Sequence, residues 1–298
     1  MSIFSQSSTA DTSGGRPTSL FGYEILEPLG EGAGSAIYAV SHIESKQLYA
    51  LKHVVRKTDK HARFIEQLEA EFEVGRKVQH ANVRRVIDFL SKKTLLGKVT
   101  EAVLVMELFD GVPLEFSLPR AMSQMVAVFI ETGRAIEAIN NQGYVHCDLK
   151  PNNIMLSKEG HVKVIDLGQA CPVGTKKERI QGTPDYIAPE QVKCLPVSIQ
   201  TDIYNLGATM YWALSGRKMP TLFTAGKGEN SILSDDLIQA PHVINPLVPE
   251  SMGNFVMECV RIRPEKRPAN MGEVVRRLEI IEHVMQRDSG QKPNYGAA

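Results

Sequence analysis

The spacing of apolar residues changes character once along this chain, and that change limits the fold more than any other feature. Over residues 23–108 the sequence consists mostly of short β-prone runs (36–40, 47–51 and 102–106), interrupted by one strongly helical stretch at about 61–78. Beyond Gly111 the pattern is helical. Met125, Phe129, Ile136 and Ile139 recur at helical spacing, and the run stops at Asn141-Gln142-Gly143, a C-terminal capping signal. The expected fold class is therefore α+β and two-lobed: a small β-rich N-terminal lobe with one helix over 21–109, then a larger, mostly helical lobe over 110–285. Segments 1–20 and 286–298 read as a flexible leader and tail, the leader being rich in Ser, Thr and Gly. Ligands are expected in the cleft between the lobes.

Composition narrows the classes of partner. With 298 residues and 43% hydrophobic content the chain can bury a large core. Lysine plus arginine, 34, balance aspartate plus glutamate, 34, so neither nucleic acid nor an anionic membrane finds an electrostatic footprint. Cys147, Cys171, Cys194 and Cys259 are widely spaced and form no Cys-x-x-Cys pair, which fits free thiols in a reducing compartment. No run has signal-peptide or membrane-spanning character, so a cytoplasmic location is expected.

The candidate chemistry begins with Gly30-Glu31-Gly32-Ala33-Gly34-Ser35-Ala36-Ile37, which lies between two strand-like runs. A dinucleotide-binding glycine turn has to open a helix, and a Walker A loop has to continue into Gly-Lys-Ser/Thr; neither happens here. Two readings remain: an ordinary glycine hairpin, or a strand-turn-strand lid whose backbone amides approach phosphate oxygens. Lys52 sits in an otherwise apolar strand, so it is either an edge-strand charge or an ammonium aimed into the cleft. The second reading needs a carboxylate to fix it. Glu71 qualifies, because it shares the inward face of the predicted helix with Phe64 and Leu68. Further on, Asp148 and Asn153 in the stretch 144–156, and Asp166 after the apolar 162–165, bring three oxygen ligands or bases into one region. Hard oxygen groups of this kind suit Mg2+.

Taken in this order, the motifs resemble the eukaryotic-like, bacterial-type serine/threonine protein kinase superfamily over residues 21–285. The resemblance implies a protein-kinase-like fold, ATP and Mg2+ as cofactors, and protein substrates with serine or threonine acceptors. It implies that Leu29 and the lid from Gly30 to Ile37 cover the ATP phosphates, that Lys52 contacts the α- and β-phosphates, and that Glu71 holds Lys52. Asp148 would be the catalytic base, Lys150 would steady the γ-phosphate, and Asn153 and Asp166 would hold the metal. Met106 takes the gatekeeper position; the backbones of Glu107 and Phe109 would bond adenine, and Ile37, Ala50 and Met155 would sandwich it. Thr183, in Thr183-Pro184-Asp185-Tyr186-Ile187-Ala188-Pro189-Glu190, is similar to the end of an activation segment, and with Lys150 it points to serine/threonine acceptors. Arg267 is similar to the arginine that pairs with Glu190.

The sequence departs from the family pattern at three positions. Ser35 replaces the third lid glycine, and Cys147 stands where many members have the arginine that binds an activation-loop phosphate. Activity is accordingly expected not to depend on phosphorylation of Thr175. Gly75, one helical turn beyond Glu71, is expected to remove packing and loosen the helix by roughly 1 kcal/mol of propensity. A pseudokinase scaffold would be favoured by loss of Lys52, Asp148, Asn153 or Asp166, none of which is lost. A small-molecule kinase shares the two-lobed plan but not the run through Glu190.

Overall fold

In the computed structural model, which describes residues 18–32, 34–225, 238–288 and 290, strands dominate the first third and helices the rest. The small lobe is one antiparallel sheet in the order β1-β2-β3-β4-β6-β5. Its strands are β1 (Ser19–Leu20), β2 (Tyr23–Gly32), β3 (Ser35–His42), β4 (Leu48–Val55), β5 (Val86–Lys93) and β6 (Val99–Glu107). Successive strand residues point to opposite faces, and here both faces are covered. Ala50, Val54, Ala102, Leu104 and Met106 pack with Ile65 and Leu68 of helix α1 (Ala62–Gly75). Leu51, Val103 and Val105 pack on the other side with Leu20, Tyr23 and Val40. Burial on two faces explains why these strands read as apolar runs without clean alternation. It also fixes the direction of Lys52, which shares its face with Ala50 and Val54 and so points toward α1.

The larger lobe is built on α2 (Met122–Asn141), α4 (Ile199–Ser215), α7 (Glu250–Cys259) and α8 (Met271–Asp288). Its core includes Phe129, Ile136, Ile139, Tyr204, Met210, Phe255 and Leu278. Helix α2 ends where the capping signal placed it, with Gly143 at φ 80° closing the turn. Between α2 and α4 run the short strands β7 (Val112–Pro113), β8 (Tyr144–Val145), β9 (Ile154–Leu156), β10 (Val162–Val164) and β11 (Cys171–Pro172). The antiparallel pairs β9–β10 and β8–β11 frame the segments that carry the polar motifs. Helices α3 (Pro189–Val192), α5 (Leu222–Ala225) and α6 (Pro241–Ile244) are single turns.

Contacts between the lobes fix the cleft. Val74, Val78 and Val83 of the small lobe belong to the large lobe's core cluster, together with Leu167. Val83 bridges Val164, and the Arg84 N–H donates to the Val164 carbonyl at 3.0 Å. Regular secondary structure continues a few residues beyond 21 and 285: β1 pairs Ser19 and Leu20 with Glu24 and Tyr23, and α8 runs to Asp288. The rest of the expected leader and most of the tail, residues 1–17 and 291–298, lie outside the described residues, as does Ala33.

At Gly75 the structure departs from expectation. The residue is buried, and an added Cβ would stand 2.3 Å from Val86 Cγ2 and 3.8 Å from Leu167 Cδ1. The space a side chain would fill is already occupied by a β-branched neighbour with little rotamer freedom. The glycine therefore admits Val86 and leaves no packing defect. Gly75→Ala should lower stability in urea unfolding, because overpacking at about 1–3 kcal/mol outweighs alanine's propensity gain of roughly 1 kcal/mol. An upward shift of the midpoint would contradict this packing account.

Candidate active site

Strand β4, helix α1 and the turn after β10 each deliver one charged group to the same point. The Lys52 ammonium donates to Glu71 Oε2 at 2.7 Å and to Asp166 Oδ1 at 3.0 Å. Burial by itself pulls the Lys52 pKa down, but the two carboxylates more than reverse that and hold it above the ordinary lysine value. Asp166 is pushed up by burial and held well below the carboxylate range by Lys52. Its side chain is walled by protein yet keeps 40% of its surface open to the cleft, against 16% for Lys52. Asp166 adopts φ 66°, an uncommon backbone for a residue with a side chain, and its Oδ1 also accepts the Gly168 N–H at 3.4 Å. Gly168 must stay small, since a Cβ there would lie 3.2 Å from Asp166 Oδ1 and 3.6 Å from Glu71 Oε2.

A second cluster forms across the cleft floor. Lys150 Nζ donates to Asp148 Oδ2 at 3.0 Å and to Thr183 Oγ1 at 2.8 Å, and the Thr183 hydroxyl donates to Asp148 Oδ1 at 2.8 Å. Asp148 is thus held at both oxygens. Asn153 Nδ2 donates to the Asp148 carbonyl at 2.8 Å, which leaves the amide oxygen Oδ1 as its acceptor. Asp202, at the start of buried α4, anchors the loop beneath by accepting the His146 and Cys147 N–H groups at 2.9 and 3.0 Å and Asn140 Nδ2 at 2.9 Å.

These groups face a cleft of about 880 Å³ between the lobes, within the range of small-molecule and cofactor sites. Leu29, Gly30, Glu31, Gly32, Ser35, Ile37, Ala50, Lys52, Phe109, Asp148, Lys150, Asn153, Met155 and Asp166 line it. Glu71 and Thr183 act from behind the wall through Lys52 and Asp148. Gly34 and Ala36 do not line the cleft: Gly34, at φ 83°, lies where a Cβ would meet the Phe64 ring at 2.5 Å, and Ala36 alternates away from Ser35 and Ile37 along β3. Met106 is buried at 1% exposure beside Ala50, its partner across β4 and β6, in the cluster under α1. The Glu107 N–H is spent on the Arg85 carbonyl at 2.9 Å, and its carboxylate pairs with Lys163 at 2.8 Å. The wall in this region therefore runs from Leu108 to Gly111.

Two functional positions escape sequence reasoning. Arg84 lines the cleft at 9% exposure, and among the described residues its guanidinium has no hydrogen-bond or ion-pair partner. Burial lowers its pKa, against the attraction of Glu71, Asp166 and Glu107. It follows Val83 in a run whose next residue, Arg85, is exposed, so nothing in the pattern marks it. Gln191 is the other: its Nε2 donates to the Cys147 carbonyl at 2.7 Å and to the Gln181 carbonyl at 3.2 Å, tying the loop that carries Asp148 to the segment that follows β11.

The family model for the protein kinase domain matches residues 23–284. The chain is 33% identical over 215 residues to the serine/threonine-protein kinase PknA of Mycobacterium tuberculosis, covering 69% of this chain and 48% of PknA. It is 27% identical over 289 residues to the serine/threonine-protein kinase Pkn1 of Myxococcus xanthus, covering 92% of this chain and 40% of Pkn1. A two-lobed fold, a polar cleft and a match across nearly the whole described region make this chain a member of the protein kinase domain family, of the bacterial, eukaryotic-like serine/threonine type. It spans less than half the length of these relatives.

Arg84 provides a test of the site's electrostatics. A buried cation without a hydrogen-bonded partner costs stability, so Arg84→Met should raise the thermal midpoint of the nucleotide-free protein. A fall would mean that attraction to Glu71 and Asp166 outweighs desolvation.

Proposed function

We propose that this chain transfers the γ-phosphoryl group of ATP to serine and threonine hydroxyls of protein substrates. The observation that carries the reading is the convergence of Lys52, Glu71 and Asp166 from three separate elements opposite the Asp148–Lys150–Thr183 cluster, across one cleft. A pseudokinase scaffold would not need both clusters closed, and a small-metabolite kinase would not need Thr183 on the base.

The donor chemistry fits a Mg-nucleotide. Asp166 uses Oδ1 for Lys52 and Gly168, no hydrogen bond to its Oδ2 exists among the described residues, and Asn153 keeps its Oδ1. Asp166 and Asn153 would hold Mg2+, which supplies neutralisation of phosphate charge when bound. Lys52, kept charged by its two carboxylates, binds phosphate oxygens. Asp148 accepts a hydrogen bond from the substrate hydroxyl, orients its oxygen toward the γ-phosphorus, and takes the proton as the new P–O bond forms and ADP leaves. Lys150 lies beside Asp148 and offsets the spreading negative charge. Catalysis on this reading is mostly positioning and charge stabilisation. The four cysteines, all free thiols, support a cytoplasmic setting.

No guanidinium stands at Cys147 to receive an activation-loop phosphate, and Thr175 Oγ1 donates to the Pro172 carbonyl at 2.6 Å. The segment is held by Gln191 and by the Thr183 hydroxyl. Activity is accordingly independent of phosphorylation at Thr175.

Incubation with Mg-ATP and a generic acceptor protein, read by mass spectrometry, should place phosphate on serine and threonine. Asp148→Asn and Lys52→Met should each lower turnover by roughly 10²-fold or more, Asp148→Asn leaving the melting curve in place and Lys52→Met lowering it because buried Glu71 loses its partner; full activity in either variant would remove the assigned base or phosphate ligand. Phosphatase treatment should leave turnover unchanged, and a loss restored by phosphate on Thr175 would overturn the independence of that site.

A further inference from the structure

Cys147 and Cys171 form a contact that the phosphotransfer chemistry does not use. Their sulfurs are 3.6 Å apart, and with Val145 and Val197 they make a small apolar cluster of their own. Cys171 opens β11 opposite Val145, so Cys147 is its diagonal neighbour beyond the end of β8. Diagonal neighbours in a regular sheet stand roughly 7–8 Å apart. At Cys147 the backbone is in the left-handed region, φ 66°, and the two side chains meet. Closing the contact to a disulfide of ~2.05 Å asks for a movement of about 1.5 Å.

We infer that Cys147 and Cys171 are a dithiol site that a peroxide oxidises to a disulfide, joining the catalytic loop to the segment after β10.

The electrostatics assign the two sulfurs different roles. The hydrogen bond from Cys147 lowers the Cys171 pKa to about 6, with Lys177 and the Thr175 hydroxyl acting in the same direction and burial against it. The same hydrogen bond, burial and the Asp202 carboxylate push Cys147 up. Lys177 is held nearby, its Nζ donating to the Gln169 carbonyl at 3.1 Å. Cys171 is therefore the thiolate that attacks and Cys147 the thiol that resolves. In the first step Cys171 Sγ attacks one peroxide oxygen and the O–O bond breaks. Hydroxide leaves and takes up a proton as water, so Cys171 becomes a sulfenic acid. In the second step Cys147 Sγ attacks Cys171 Sγ, the S–O bond breaks, and hydroxide departs with the Cys147 proton as a second water. Two thiols lose two electrons in total, and hydrogen peroxide gains them. Residual exposure, 7% at Cys171 against 2% at Cys147, also favours Cys171 as the point of entry.

The position of the bond gives it a consequence. Cys147 precedes Asp148, its N–H is fixed to Asp202 Oδ1 at 3.0 Å, and its carbonyl to Gln191 Nε2 at 2.7 Å. Drawing its sulfur toward β11 strains these bonds and shifts the carboxylate that Lys150 and Thr183 hold. A displacement near 1 Å at a reacting group can cost roughly 10²-fold in rate, so oxidation should lower turnover, and thiol reductants should restore it.

The chemical step is read by mass and the consequence by turnover; the second rests on the proposed phosphotransfer, the first does not. Hydrogen peroxide added to the full chain should yield a non-reduced peptide pair linking Cys147 and Cys171, two hydrogens lighter than the dithiol. Its rate should rise with pH through about 6 as Cys171 ionises. Turnover should fall about tenfold or more as the link forms and recover with dithiothreitol. Cys171→Ser, checked by its melting curve, should keep its turnover in peroxide. Sulfinic or sulfonic acids on the separate cysteines in place of the link would overturn the site. A quantitative link with unchanged turnover would overturn its effect on Asp148.

Discussion

The ammonium of Lys52 is the group on which the rest of the arrangement depends. It has two carboxylate partners, and each comes from an element with its own reason to be elsewhere: Glu71 from an amphipathic helix, Asp166 from a turn beyond a short strand. A lysine buried in an apolar strand is unfavourable alone, as is a glutamate at 2% exposure on the inner face of α1. Each makes the other tolerable, so helix and sheet are fixed in one relative position. Asp166 extends the constraint to the large lobe, and the cleft between the lobes acquires a defined width. Any displacement of α1 would leave an unpaired charge on both sides. The active geometry is in this sense the state that solves a desolvation problem.

A similar logic operates below the cleft. Asp202 is fully buried and meets backbone amides of His146 and Cys147 in place of a cation. Burial raises its pKa, and the amide hydrogen bonds work against that shift. Glu190 and Arg267, both 5% exposed, solve the same problem by direct pairing at 2.7 and 3.0 Å, with Thr201 donating to Glu190. Burial pushes Glu190 up and Arg267 more than offsets it. The loop that carries Asp148 and the segment that carries Thr183 are thus each tied to the rigid helices of the large lobe by buried polar groups that cannot let go cheaply.

How legible this was depends on the kind of signal a residue gives. Lys52, Glu71 and Asp148 are polar residues among apolar neighbours, and such a contradiction of pattern is visible without coordinates; Lys150 and Thr183 are marked only by the family resemblance. Arg84 gave no such signal, because two consecutive arginines read as solvated until Val83 is seen to bridge Val164 and turn the first of them inward. Met106 and Glu107 illustrate the opposite limit. Their places in the chain suggest a wall, but Met106, beside Ala50 on the face that packs on α1, is fully buried, and Lys163 claims the Glu107 carboxylate. Gly75 looked like a defect by helix propensity and proved to be a fit, since its value depends on Val86, a residue eleven positions away whose proximity only the fold reveals.

Cys147 brings these strands together. An arginine there would place a large cation beside Asp148 and Asp202 and would compete for carboxylates already engaged by Lys150, Thr183 and the loop amides. With a thiol in its place the neighbourhood carries less charge, and the segment after β11 has to be held by neutral contacts. Gln191 supplies them: one amide reaches the Cys147 and Gln181 carbonyls through Nε2, while Oε1 accepts the Ala188 N–H at 3.0 Å and Asn205 Nδ2 at 3.1 Å. Asn205 in turn donates to the Tyr186 carbonyl at 2.7 Å. Neutral hydrogen bonds of this kind are screened little by salt. The loop that carries Asp148 and the segment after β11 are thus braced to each other by neutral groups, and the Cys147 sulfur packs against that of Cys171 at 3.6 Å.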